Sequence, residues 1–188
     1  RSLEQVTSLM DAGYDIPVSV NISEKNLHDP DFQFRALDII KKSGVPFKMI
    51  EFELTESALM INPAMSEGIL SEFARQGIRI HIDDFGSGYS SLSYLTRFPI
   101  HCIKIDQYFA RHLDDDPSMK TIIRSAIDLS RDLGYDVVVE GVENQETADL
   151  LKSFGCDTAQ GYHFARPMTA DDLMGWLDGL TKTQQEKS

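Results

Sequence analysis

Oxygen-bearing side chains recur at one kind of place in this 188-residue sequence, the end of a short run rich in β-branched residues. Asn21, Glu53, Asp83 with Asp84, and Glu140 each close such a run; Lys104 lies near the end of another, and Gln160 extends the series to a sixth. Carboxylates and an amide are hard oxygen ligands, suited to Mg²⁺ or Mn²⁺ rather than to a metal held by thiolates. Four carboxylates gathered in one place repel one another and raise their own pKa values unless cations sit between them. The adjacent pair Asp83-Asp84 suits a bridge, one carboxylate shared by two ions and its neighbour on the second. Lys104 would then orient a phosphate oxygen or the attacking water; its alternative is an internal salt bridge to one of the acids. Two hard ions and a lysine match in-line attack of activated water on a phosphodiester.

For these residues to meet, the elements that carry them must line up. Strand side chains alternate between faces, so parity decides which residues look the same way. In the runs 17–23, 49–55, 79–83, 102–106 and 136–142, Val18 and Val20, Ile50, Phe52 and Leu54, Ile80 and Ile82, Ile103 and Ile105, and Val137 and Val139 take one parity, with Val138 opposite beside Glu140. Asn21, Glu53, Asp83, Lys104 and Glu140 take the other. A sixth strand is expected over 158–164. Between the runs lie helical patterns that open at caps such as Asn62-Pro63, Asp116-Pro117 and Asn144 and stop at Gly44, Gly77, Gly134 and Gly155. A last helix is expected from Thr169 through Trp176. Alternating strands and helices indicate βα units and a parallel sheet. Six units in this length fit a TIM-like (β/α) barrel with six of its eight strands present, since eight typically need about 250 residues. An open doubly wound sheet is the competing architecture. If helices cover the apolar face, the polar parity points inward and converges at the C-terminal mouth, where barrels of this kind carry their active sites. The acid pair runs directly into Phe85-Gly86-Ser87-Gly88-Tyr89-Ser90-Ser91-Leu92, whose glycines permit a tight loop, with Ser90 or Ser91 available to cap a short helix through Arg97.

A net charge of −12 argues against a surface that coats DNA or RNA, although an acidic cluster that holds metal ions can still take a small anion. Cys102 and Cys156 read as reduced, structural thiols. No apolar run approaches the ~20 residues of a membrane span, and no signal peptide is visible. The chain opens at Arg1 inside a helical pattern, so we expect a cytoplasmic fragment of a larger parent, which could itself be anchored in the inner membrane.

Taken in order, Val20-Asn21-Ile22-Ser23, Glu53-Leu54-Thr55-Glu56-Ser57, the loop from Asp83 to Leu92, Lys104-Ile105-Asp106, Glu140-Gly141-Val142-Glu143 and Gln160-Gly161-Tyr162 resemble the EAL family of bacterial cyclic-di-GMP phosphodiesterases. The resemblance runs across nearly the whole chain and closes with Phe164-Ala165-Arg166-Pro167. It implies that residues 1–180 are an EAL-type domain truncated at its N-terminus, with a polar tail at 181–188. It implies that Asn21, Glu53 and Asp83 hold a first Mg²⁺ or Mn²⁺ and that Asp83, Asp84 and Glu140 surround a second. Glu140 would also assist the nucleophilic water, with Lys104 beside it. Glu56, Gln160 and Glu143 would support the site from behind, Glu56 by steadying the loop after the acid pair; a surface helix-capping role is the alternative for Glu143. The implied activity is hydrolysis of cyclic di-GMP to linear pGpG, and the implied assembly is a homodimer through 89–98, without DNA, RNA or direct membrane contact. The departures are Asn26 and Ala165, where relatives often carry glutamine and glycine, and the missing Glu-Ala-Leu strand. That last departure leads us to expect an inactive isolated fragment. A non-catalytic cyclic-di-GMP receptor and a purely scaffolding interaction module are the competing functions.

Overall fold

The computed structural model describes residues 2–87, 95–113 and 115–185. The chain alternates helix and strand: α1 (Ser2–Asp11), β1 (Val18–Asn21), α2 (Glu24–Leu27), α3 (Phe32–Ser43), β2 (Ile50–Thr55), α4 (Glu56–Met60), α5 (Pro63–Gln76) and β3 (Arg79–Phe85). It continues through β4 (Cys102–Ile105), α6 (Gln107–Arg111), α7 (Pro117–Asp132), β5 (Asp136–Val139), α8 (Gln145–Ser153), β6 (Thr158–Ala159) and α9 (Ala170–Gln185). The caps read from sequence form: the Asn62, Asp116 and Asn144 side chains accept from the backbone N–H of Met65, Ser118 and Thr147. Each satisfies a donor that the first turn of its helix leaves free.

Among the described residues six strands form one sheet in the order β1-β2-β3-β4-β5-β6, every neighbouring pair parallel. Order decides the architecture. A doubly wound sheet reverses its strand order at a switch point, whereas here each strand adds to the same edge, as in a barrel wall. All strand C-termini therefore face one way. Ile80, Ile82, Ile103, Ile105, Val137 and Val139 are fully or almost fully buried. They join two apolar clusters, one with Leu59, Leu70 and Phe73 of α4 and α5, the other with Ile123 and Ile127 of α7. The aromatic rings of Phe52 and Phe73 meet edge to face at 4.8 Å, fastening β2 to α5.

Several boundaries differ from the sequence reading. β3 runs two residues further, to Phe85. β5 ends at Val139 because Gly141 takes φ 73°, and β6 covers Thr158–Ala159 only. After β6 the chain still follows its neighbour, with Val142 N–H donating to the Gln160 carbonyl and His163 N–H to the Val142 carbonyl, before turning at Phe164. α9 extends past Trp176 to Gln185, so residues 181–185 of the expected polar tail are helical. Of the 89–98 segment expected to pair with a second copy, 89–94 lie outside the described residues, as do Ser90 and Ser91. Leu95 and Phe98 are buried within their own core. No helix among the described residues is long and apolar enough to cross a membrane.

At Gly161 two backbones cross so closely that a Cβ would collide with the nitrogen and carbonyl oxygen of Val142. Neither strand end can move without breaking the bonds just described. Gly161→Ala should lower unfolding free energy by about 1–3 kcal/mol, read as a shifted midpoint with unchanged slope in urea; a stability equal to the unmodified chain's would refute the crossing.

Candidate metal centre

The polar parity does converge. Register pairs Asn21 with Glu53, Glu53 with His81, and Thr55 with Asp83, while Lys104 follows two residues after Cys102, the partner of His81. From these positions Lys104 Nζ reaches Glu53 Oε1 at 3.1 Å, Asp83 Oδ1 at 3.1 Å and Glu140 Oε1 at 2.7 Å. The salt-bridge alternative for Lys104 is therefore real, and it involves three acids rather than one. Lys104 is only 6% exposed. Burial alone would lower its pKa, but the hydrogen bond to Glu140 and the charges of Glu140, Glu53 and Asp83 outweigh that, and its pKa rises.

Asp83, Asp84 and Glu140 each offer an oxygen, all within 4.8 Å of one another. That two consecutive strand residues share one site needs a local device, since alternation would send Asp84 to the helix side. The device is a register shift between Ile82 and Phe85 together with φ 54° at Asp84, a left-handed backbone that a non-glycine residue rarely adopts. Asp84's pKa is pushed up to about 6, first by burial, then by a hydrogen bond shared with Asp106 and by the charges of Asp83, Asp106 and Glu140. An all-oxygen donor set with this much unneutralised charge fits hard divalent cations such as Mg²⁺ or Mn²⁺.

The remaining expected residues divide. Glu56 is buried at the start of α4 and lines a depression of about 590 Å³ with Thr55, Ser57, Asp84 and Ser87, beside the loop it was expected to steady. Asn21 is exposed on β1 and level with Glu53. Gln160 borders a cleft of about 240 Å³ shared with Glu140, Arg111 and Tyr162. Glu143 borders the same cleft and pairs there with Arg111, 3.1 Å from its Nε. Asp106, given no role from sequence, both caps α6 through Tyr108 N–H at 2.7 Å and touches Asp84. Its signal was present: it stands two residues after Lys104 and so shares its parity. Beneath the acids lies a second polar layer, in which Ser19 donates to Glu51, and Arg79 joins Glu51 to Asp136. His81 lies 3.6 Å from Glu51, with burial lowering its pKa.

The sequence profile described as the EAL domain matches residues 1–167. The chain belongs to the EAL domain family. It is 35% identical over 180 residues to the cyclic di-GMP phosphodiesterase PdeR of Escherichia coli, covering 96% of this chain and 27% of that protein. The chain spans 20–27% of the length of some curated relatives it matches and 52% of others. The solved PaMucR phosphodiesterase, a c-di-GMP complex, superposes with a TM-score of 0.87 at 32% identity over 91% of this chain and 70% of the other. A manganese and cyclic-di-GMP complex of Klebsiella pneumoniae BlrP1 superposes at 0.77 and 30% identity over 86% and 41% of the two chains.

The Asp84 carboxyl binds its proton more tightly folded, at about 6, than unfolded, at 3.8. The stability this contributes is complete below 3.8 and lost as pH rises through about 6. In EDTA, the domain should thus lose stability across that interval, and Asp84→Asn should flatten the loss. Parallel pH profiles for the two proteins, measured by thermal melting, would contradict the assignment.

Proposed function

We propose that this EAL domain hydrolyses cyclic di-GMP to linear pGpG with the help of divalent cations, Mg²⁺ or Mn²⁺. The observation that carries the reading is the gathering of Glu53, Asp83, Asp84 and Glu140 around Lys104 at the C-terminal ends of parallel strands, in a chain whose relatives include named cyclic di-GMP phosphodiesterases. Asn21, Glu53 and Asp83 would hold one ion and Asp83, Asp84 and Glu140 a second, with Asp83 shared. Such ions supply activated water and neutralise charge on phosphate. The chain's own groups do the rest. Glu140 accepts the proton of the attacking water, Lys104 donates to a phosphate oxygen, and Asp106 fixes the carboxyl of Asp84. Glu56 supports the turn that follows the acid pair, and Gln160 and Tyr162 wall the cleft beside Glu140. A homodimer through 89–98 is the assembly the family resemblance implies.

On the full-length protein, Mn²⁺ should support conversion of cyclic di-GMP to pGpG, followed by anion-exchange chromatography, and EDTA should stop it. Asp83→Asn removes the charge of the shared ligand and should slow turnover at least about 100-fold, the upper range for groups that merely support a metal ligand. Near-normal turnover by Asp83→Asn would remove that residue from the mechanism. Cyclic di-GMP bound tightly by the unmodified protein with no turnover under any divalent cation would make the domain a receptor instead.

A further inference from the structure

Three carboxylate oxygens crowd the ammonium of Lys104: Glu53 Oε1 at 3.1 Å, Asp83 Oδ1, which accepts a hydrogen bond, at 3.1 Å, and Glu140 Oε1 at 2.7 Å. The charge is enclosed by acids and the side chain is buried, so in this state the ammonium is committed to the acids rather than presented to a phosphate. Two of the same acids, Asp83 and Glu140, are also corners of the cluster that can hold a cation. A divalent ion and an ammonium cannot both draw on Asp83 and Glu140 at these distances without strong repulsion between them. We infer that Lys104 is the built-in counter-ion of the metal-free site, holding Glu53, Asp83 and Glu140 together until a divalent cation displaces it from Asp83 and Glu140. The ammonium released in this way is the donor that a phosphate then meets.

This rests on the metal-site part of the function proposed above and makes a prediction of opposite sign to a simple brace. A brace, once removed, lets the acids splay, so both stability and metal affinity fall. A competitor, once removed, leaves the metal-free protein less stable but the metal bound more tightly.

The test is Lys104→Met in the full-length protein, with free Mn²⁺ counted by electron paramagnetic resonance during titration. The Kd for Mn²⁺ should fall about tenfold or more, since a unit positive charge a few ångströms from the ion has been removed. The rise in melting temperature between EDTA and saturating Mn²⁺ should be larger than in the unmodified protein. Equal or weaker Mn²⁺ affinity overturns the inference. Should the variant fail to fold, a crystal structure of the unmodified protein with Mn²⁺ decides. Lys104 Nζ should lie beyond hydrogen-bonding distance of Asp83 Oδ1 and Glu140 Oε1, and retention of both contacts overturns the inference. Neither readout involves substrate, so tighter Mn²⁺ binding by Lys104→Met, together with no turnover by the unmodified protein under any divalent cation, would uphold the counter-ion while rejecting the hydrolase. Mn²⁺ bound by neither protein would end both.

Discussion

Mutual repulsion among carboxylates governs this molecule. Glu53, Asp83, Asp84 and Glu140 come from three different strands and their ends, and each is drawn out of bulk water toward the others. Like charges held this way must find a cation, take up a proton or destabilise the fold. Two of these answers are visible at once. Lys104 supplies one positive charge to three of the acids, and Asp84 answers with a pKa raised toward neutrality. One ammonium cannot balance four carboxylates, and the remainder is a standing demand for further cations.

The architecture serves that demand. Parallel strands in unbroken order put every C-terminus on one rim, so residues far apart in sequence arrive at the same level. The apolar parity of each strand is spent on the helices, where Phe73, Leu70, Ile123 and Ile127 supply the burial that an acidic interior cannot. In the lower polar layer Arg79 spans from Glu51 to Asp136, one positive charge for two carboxylates, and burial lowers the pKa of His81 beside them. The floor is therefore one positive charge short of its acids, whereas the mouth sets four carboxylates against a single lysine. That asymmetry separates a site from a merely polar interior.

Much of this was legible in the sequence because strand parity is a rigid rule. Glu53, Asp83, Lys104 and Glu140 share a parity and do meet, and the helix caps at Asn62, Asp116 and Asn144 form as their residue types require. The rule fails where the backbone leaves the strand. Alternation would have sent Asp84 among the helices, and only a left-handed turn and a register shift bring it back. Glu143 follows Glu140 by three residues in a loop, where parity has no meaning, and its pairing with Arg111 beside the same cleft could not be read from alternation. The shortness of β6 reflects the close crossing of Gly161 over Val142, a tertiary contact no local pattern encodes. The extra turns of α9 are likewise undetermined by a polar run that suits a helix and a tail equally.

The charge pattern also bears on the choice between hydrolase and receptor. A protein that only recognises a cyclic dinucleotide must meet two phosphates, and phosphates are met by N–H donors and positive charge. Four carboxylates with one buried lysine among them do the opposite: without further cations the mouth repels its ligand. Such a site becomes attractive to a phosphodiester only after cations have reversed its sign. An arrangement that costs stability when empty and repels the ligand until loaded has a physical use if the cations themselves take part in the reaction. Binding alone could be had with fewer acids, and the register of β2, β3 and β4 would place neutral donors at those positions just as well.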